Sequence, residues 1–174
     1  MTVQRQSALD GTEGFQPQDF SLKEFFPYLV RIYYRAVSDA VREVYSKSHQ
    51  LSVNEWRSMV VLNNFEPLSA KEIVTRSSLD KVNVSRAIAR LQERQFLERH
   101  VDPSDRRRVL LRLTAKGKKA MAYLVPRVRE VEQRLLEGLT ESERETLLDL
   151  MARVQSNANA IIAENGARTA GEDD

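Results

Sequence analysis

Apolar residues recur at intervals of three and four along most of the chain, a period that predicts a mainly α-helical protein. In the first such segment they cover much of the helix circumference, so this helix needs apolar contacts on more than one side, which a partner subunit could supply. We expect it to begin at a capping box, Ser21-x-x-Glu24, to hold Pro27 in its first turn and to end near Ser46. The polar residues 1–19 are expected to form a flexible arm.

Three shorter helices follow, each with a recognisable start signal. Ser52-x-x-Glu55 and Ser69-x-x-Glu72 are capping boxes, and Asp80 is a favoured N-cap residue for the third helix. The last two starts lie about eleven residues apart, which suits a helix-turn-helix but also a simple helical hairpin.

A short β-hairpin is predicted next, with strands at 96–101 and 109–113. The residues between them include Asp-Pro and Ser-Asp, which favour turns because proline presets φ and a short polar side chain bonds the nearby backbone. Two strands alone are marginally stable in water, so the apolar side of this hairpin must pack on the helices. The turn is followed at once by Arg106, Arg107 and Arg108.

Two longer helices are predicted after the hairpin. Thr114 is expected to start the first of them, Pro126 to kink it and Gly138 to end it. Thr140-x-x-Glu143 then begins the last helix. Residues 164–174 are expected to form a flexible acidic tail.

Composition excludes several kinds of site. The chain has no cysteine, so disulfides, thiolate metal sites and thiol redox sensing are excluded. Only His49 and His100 are available as histidine ligands or bases, so we expect no metal site, no cofactor and no enzymatic activity. No apolar run approaches the roughly 18 residues that a membrane span needs, so we expect no membrane partner and a cytoplasmic location.

Basic charge is concentrated in the middle of the chain. Residues 51–119 hold 15 Lys and Arg against 8 Asp and Glu, whereas the remaining residues hold 12 against 17. A solvated charged face is the ordinary explanation of a basic segment. An excess of this size around a helix and a hairpin favours a polyanionic partner.

The basic segment and its neighbours also carry a set of motifs. They are Asp105-Arg106-Arg107-x-x-x-Leu111-x-Leu113-Thr114-x-x-Gly117, Leu51-Ser52 followed by Trp56, the Leu68-Ser69 helix start, and Asp80-Lys81-x-x-Val84-Ser85-Arg86 before Leu91. Together they resemble the MarR family of bacterial transcriptional regulators, over about residues 20–162. The family commonly has glycine before the first wing strand, where this chain has Gln95, so we expect either modest strain or a different helix exit there.

The resemblance implies a winged helix-turn-helix and a homodimer in which the first, fifth and sixth helices interlock. It further implies binding to pseudo-palindromic double-stranded DNA, with repression as the expected effect, and a small molecule that changes the affinity for DNA. The domains it implies are an arm at 1–19, a dimerisation helix at 20–50, a DNA-binding lobe at 51–117, C-terminal dimerisation helices at 118–163 and a tail at 164–174.

On this reading the helix that begins after Asp80 lies in the major groove. We expect base contacts from Asn83, Ser85 and Arg86, and mainly phosphate contacts from Lys81 and Arg90. In the wing, Asp105 is expected to orient Arg107, the family's wing arginine, toward the minor groove, while Arg106 and Arg108 contact phosphate or solvent. Alternatively, Asp105 is only a turn residue and each polar residue is merely solvated.

The family's ligand pocket would lie between the first, second and fifth helices. This chain supplies Tyr28, Arg31, Tyr34 and Arg35 from the first helix and Trp56 from the second. Aromatic walls with cationic groups suit an aromatic acid or its coenzyme A thioester. The alternative is that the aromatic residues belong to the core and the arginines to the solvated surface. An architectural DNA-binding protein without an effector is the remaining alternative function.

Overall fold

The computed structural model describes residues 20–102, 105 and 107–170. They form six helices and one β-hairpin, joined by short turns and loops. The elements are α1 (Phe26–His49), α2 (Val53–Phe65), α3 (Ala70–Ser77), α4 (Lys81–Glu93), β1 (Leu97–Val101), β2 (Val109–Leu113), α5 (Ala115–Leu135) and α6 (Glu141–Ala170). This order confirms the predicted mainly α fold with a small β-hairpin. The chain forms two compact units that divide after Val128, and the predicted arm at 1–19 lies outside the described residues.

Helix α1 begins differently from the prediction. Phe25 is its N-cap and no side chain caps it, while the carbonyl of Ser21 accepts hydrogen bonds from the backbone N–H groups of Glu24 and Phe25 at 3.1 Å. Ser21 therefore opens a separate turn and does not form a capping box. Pro27 lies in the first turn as expected, where its missing N–H has no intrahelical partner to lose. The helix extends past Ser46 to His49.

The predicted start signals of the other helices are confirmed. Ser52 and Ser69 each accept a hydrogen bond from the backbone of the glutamate three residues on, and that glutamate bonds back to the serine N–H. The same reciprocal pair joins Thr140 and Glu143 at the start of α6. Such boxes satisfy backbone donors that the first helical turn leaves unpaired, so they fix where the helix begins.

One hydrophobic core holds α2, α3 and α4 together. Its fully buried residues include Met59 and Leu62 of α2, Ile73 of α3 and Leu91 of α4, and Leu124 of α5 joins them. The three short helices therefore form a helix-turn-helix with a shared core, which decides against a simple helical hairpin.

The hairpin packs on this core and pairs with a segment that the sequence did not predict. Its antiparallel register places Leu97 opposite Leu113 and Val101 opposite Val109. Leu111 is buried and also forms a β-bridge with Leu68, through two backbone hydrogen bonds of 3.2 and 2.7 Å. The hairpin is thereby attached to the start of α3 as well as to the helices beneath it.

The link between α4 and β1 is strained at Gln95. Its φ of 60° lies in the left-handed region, which favours glycine. The Gln95 carbonyl accepts a hydrogen bond of 2.7 Å from the Thr114 hydroxyl. Nearby, a Cβ added to Gly117 would lie 2.1 Å from the Phe96 carbonyl oxygen, so this approach of α5 to the strand requires glycine. Of the two outcomes expected for Gln95, strain is the one observed.

Helices α5 and α6 differ from the prediction mainly at their ends. Thr114 caps α5, since its hydroxyl accepts from the Gly117 N–H at 3.1 Å, and Pro126 lies inside the helix. The helix ends at Leu135, and Gly138 adopts a φ of 85° in the turn that follows. Helix α6 continues to Ala170, so residues 164–170 of the predicted tail are helical; residues 171–174 lie outside the described part.

Candidate DNA-binding surface and ligand cavity

Helix α4 has one apolar and one polar face. Its inner face is buried and consists of Val84, Ala87, Ile88 and Leu91. Asp80 caps the helix by accepting a hydrogen bond from the Asn83 N–H, which fixes where the first turn begins. The exposed face carries Lys81, Val82, Ser85, Arg86 and Arg90. Of the α4 residues predicted to contact DNA, all except Asn83 are therefore exposed on this face. Val82 is exposed beside them and was not predicted.

Asn83 is half-buried and bonded within the protein. Its Nδ2 donates to Asp80 at 2.5 Å, and its Oδ1 accepts from Asn54 of α2 at 3.0 Å. The bonds from the Asn83 backbone and side chain lower the pKa of Asp80. The amide that was expected to pair with adenine therefore already joins the start of α4 to α2.

Val82 is a surface residue that the sequence analysis left without a role. It is 56 % exposed in the first turn of α4, between Lys81 and Asn83. An exposed valine beside cations at the start of such a helix is suited to apolar contact with a thymine methyl group. The signal available from the sequence was an apolar residue on the polar face.

The wing turn is organised by Asp105. Its carboxylate accepts a hydrogen bond of 2.9 Å from the backbone N–H of Arg107, and the Asp105 carbonyl accepts from the Arg108 N–H at 2.8 Å. Asp105 thus fixes the backbone of the turn, which is the turn-residue alternative. Arg107 is exposed, and Arg106 lies outside the described residues.

Arg108 is also exposed, but its guanidinium pairs with two carboxylates of the protein. Its Nη2 lies 3.2 and 3.1 Å from the two carboxylate oxygens of Glu72, and its Nη1 lies 3.7 Å from Asp102. Hydrogen bonds from Ser69, followed by the Arg108 guanidinium, lower the pKa of Glu72 to about 2. This ion pair ties the base of the wing to α3, and the expected contact of Arg108 with phosphate or solvent stays a prediction.

Arg94, which the sequence analysis missed, joins the end of α4 to the corner between α1 and α2. Its guanidinium donates to the carbonyl oxygens of His49 and Gln50 and lies 3.4 Å from the buried Glu55 carboxylate. Burial and the nearby Arg94 charge lower the pKa of His49. These partners lie 39 to 45 residues away along the chain, so no local motif announces them.

The residues predicted for the ligand pocket are not brought together as expected. Arg31 lies over the Tyr28 ring at 5.5 Å, and Arg35 forms an exposed ion pair of 3.8 Å with Asp39. Tyr34 accepts a hydrogen bond from Arg57 of α2. These four side chains lie along α1, with Tyr28 half-buried and the others exposed.

Trp56 is buried and takes part in two features. It stacks on Tyr45 of α1 with ring centroids 5.1 Å apart and an angle of 11° between the rings. It also lines a cavity of about 300 Å³ between α2 and the end of α3. The cavity lining, in which Trp56 alone comes from the predicted set, is Trp56, Arg57, Val60, Val61, Arg76, Ser77 and Ser78.

Two features of residues 20–102, 105 and 107–170 bear on function. No helix among them is long and apolar enough to cross a membrane. No group of three or more His, Asp or Glu side chains in the same ranges is arranged to hold a metal ion.

The comparisons with known proteins agree with this geometry. The family model for the MarR family matches residues 49–108. The HTH-type transcriptional regulator YkoM of Bacillus subtilis is 30% identical over 138 residues, which cover 77% of this chain and 88% of YkoM. The HTH-type transcriptional repressor NicR of Pseudomonas putida is 26% identical over 112 residues, covering 64% of this chain and 71% of NicR.

A solved structure is similar over most of its length. It is that of Bordetella bronchiseptica BpsR, whose DNA binding is regulated by 6-hydroxynicotinic acid. It matches with a TM-score of 0.70 and 25% identity, covering 78% of this chain and 96% of BpsR.

A helix-turn-helix followed by a β-hairpin, with an exposed cationic helix face, defines a winged-helix DNA-binding protein. The chain belongs to the MarR family of transcriptional regulators, which are non-enzymatic DNA-binding proteins.

Proposed function

We propose that the protein is a homodimeric, sequence-specific repressor that binds a pseudo-palindromic operator and is released by a small aromatic acid or its coenzyme A thioester. The observation that carries this proposal is the exposed face of α4, where Ser85, Arg86 and Val82 stand clear of the core beside Lys81 and Arg90. A protein of this kind acts in the cytoplasm, where bacterial DNA lies.

In the proposed complex α4 lies in the major groove. Arg86 pairs with guanine, Ser85 contacts a neighbouring base edge, and Val82 packs on a thymine methyl group. Lys81 and Arg90 contact phosphates and set the register. Asn83 positions the first turn through Asp80 and Asn54 and does not read a base.

The wing is proposed to lie beside the minor groove. Arg107 is its best-supported contact because the side chain is exposed while Asp105 holds its backbone. A guanidinium is weakly hydrated and suits the negative potential of a narrow A·T minor groove. Arg106 stays a proposed phosphate contact, whereas Arg108 is assigned to the ion pair with Glu72.

The homodimer is proposed from apolar surface that each unit leaves exposed. On α1 and the turn before it, Phe20, Leu22, Phe25, Phe26 and Leu29 are each exposed to about two fifths or more. On α6, Leu148 and Ile162 are 67 % and 68 % exposed. Large apolar side chains that are exposed in this way suit association surfaces, which supports dimerisation segments at 20–50 and 118–163 flanking a DNA-binding lobe at 51–117.

The effector is proposed from the family and from a relative. The BpsR structure describes regulation by 6-hydroxynicotinic acid, an aromatic acid, and this chain offers an aromatic and a cationic side chain on α2, Trp56 and Arg57. Binding that favours a conformation with poorer operator contact would release the DNA.

The test is a footprint on the DNA upstream of the protein's own coding region, with and without candidate acids. We expect protection of two half-sites about one helical turn apart, since the two copies of α4 in a dimer must enter successive major grooves. Protection should weaken when the effector is added. Protection of one half-site only would exclude the dimer, and uniform protection of any sequence would indicate an architectural DNA-binding protein.

A further inference from the structure

The cavity between α2 and the end of α3 contains a buried hydroxyl group without a partner. Ser77 is 7 % exposed, and its Oγ forms no hydrogen bond with any described residue. A buried serine in a helix can bond the carbonyl four residues back, and a buried hydroxyl without any such partner is costly unless something else accepts its proton.

Two arginines, Arg57 and Arg76, line the same cavity. Arg57 stands 5.4 Å over the ring of Tyr34 and donates to its hydroxyl, and Arg76 stands 4.5 Å over the ring of Phe65. Neither forms an ion pair with a carboxylate among the described residues. The carbonyl end of α3 carries partial negative charge, so any anion that binds here depends on these two arginines.

The remaining lining is aromatic and aliphatic. Trp56, Val60 and Val61 supply the apolar part of the lining, which suits a flat apolar ring. A volume of about 300 Å³ is at the lower end of the range for ligand sites, which admits a one-ring acid but not a whole coenzyme A thioester.

We propose that this cavity is the effector site, and that it binds a one-ring aromatic monocarboxylate. The carboxylate accepts hydrogen bonds from Arg76, Arg57 and the Ser77 hydroxyl, while the ring packs on Trp56. The inference deepens the proposed function and rests on it, since it assigns the effector class and the site. It also moves the site from the predicted pocket on α1 to the α2–α3 side of the helix-turn-helix.

The location gives the ligand a route to the DNA. Ser77 ends α3, Ser78 follows in the left-handed region with a φ of 55°, and Asp80 caps α4. These residues are the turn that sets the angle between the two helices of the motif. A ligand held by Ser77 therefore acts on the element that positions the base-reading helix.

Trp56 is the only tryptophan of the chain, so its fluorescence reports on this site directly. The full-length protein is titrated with 6-hydroxynicotinic acid, benzoate and 4-hydroxybenzoate, and with benzamide as the uncharged match to benzoate; calorimetry provides a second measure of binding. We expect saturable quenching by at least one acid and none by benzamide. Absence of saturable binding for all three acids, or equal binding of benzamide, would overturn the proposal.

The variants separate this site from the predicted one. We expect Arg76→Gln and Ser77→Ala to weaken binding of the acid by about tenfold, the loss of one hydrogen bond to a charged group. Arg35→Gln, which removes the same charge from α1, should bind as the wild type does. The opposite pattern would place the ligand on α1. Thermal unfolding of each variant shows whether it is folded.

Operator binding by the same samples distinguishes the two levels of inference. Specific operator binding without any acid binding would refute the effector site in the cavity but not the proposed function as a sequence-specific regulator. If the acid binds and the Arg76→Gln and Ser77→Ala variants weaken its binding, but the protein shows no preference for an operator, the proposed function is refuted and the acid-binding site is supported.

Discussion

Arg107 and Arg108 are adjacent in the sequence and have different surroundings in the structure. Both side chains are exposed, but only the Arg108 guanidinium is shown to pair with carboxylates of the protein, those of Glu72 and Asp102. The run of arginines predicted a cationic wing, and Arg107 and Arg108 are both exposed there. It could not predict which guanidinium would be used internally, because Glu72 lies 36 residues away along the chain.

Glu72 provides a test at the scale of single residues. Ser69 is the largest cause of its lowered pKa, and Arg108 a smaller one. We expect Ser69→Ala to raise the pKa of Glu72 from about 2 more than Arg108→Ala does, when the carboxyl group is followed by NMR during a pH titration.

The sign of the accompanying stability change follows from linkage. Because the pKa of Glu72 is lowered from 4.5 on folding, its contribution is fully present above pH 4.5 and is lost as the pH falls toward about 2. The Ser69→Ala protein should therefore lose less stability than the wild type over that acid range. A larger effect of Arg108→Ala on the pKa would show that the ion pair, and not the capping box, holds the charge.

At the scale of helices and strands, local signals were sufficient for most boundaries. The capping boxes at Ser52, Ser69 and Thr140 were read correctly because each involves groups only three residues apart. Ser21-x-x-Glu24 has the same pattern and is not a box, since Pro27 places the first helical turn later. A serine followed three residues later by glutamate can therefore form a capping box, but the neighbouring residues decide whether a helix begins there.

Contacts between segments that are distant along the chain could not be predicted from the sequence. The bridge between Leu68 and Leu111 and the bonds of Arg94 join parts of the chain that no periodicity relates. The candidate site shows the same division. The exposed face of α4 could be predicted because helical spacing defines it, whereas the bond between Asn83 and Asn54, which lie 29 residues apart, is not visible in the sequence.

The exit from α4 offers a test at this scale. Gln95 has a φ of 60°, so Gln95→Gly should remove strain and raise the free energy of unfolding by roughly 0.5–1 kcal/mol, measured with urea. Ala89→Gly is the matched control: Ala89 is exposed in the interior of α4, and glycine there should lower the free energy of unfolding by roughly 0.5–1 kcal/mol. A destabilised Gln95→Gly protein would mean that the Gln95 side chain makes a stabilising contact worth more than the strain.

At the scale of the whole molecule, the exposed face of α4 joins the fold to the function. The same short helix supplies apolar residues to the core and cations to the surface, so the position of Arg86 is fixed by the packing of Val84, Ile88 and Leu91. Exposed apolar surface on α1 and on α6 supports a dimer that would set the distance between two such helices. The central claim is that this pair of helices reads a particular DNA sequence.

The measurement that tests this claim most directly is the ratio of specific to non-specific affinity at one salt concentration, for the wild type, Arg86→Ala and Arg42→Ala. We expect the wild type to prefer the operator by at least about 10³-fold, and Arg86→Ala to lose roughly 1–3 kcal/mol of operator affinity with little change on random DNA. Arg42→Ala removes the same charge from α1 and should behave as the wild type. A ratio near one for the wild type, or equal losses for the two variants, would contradict base reading by α4.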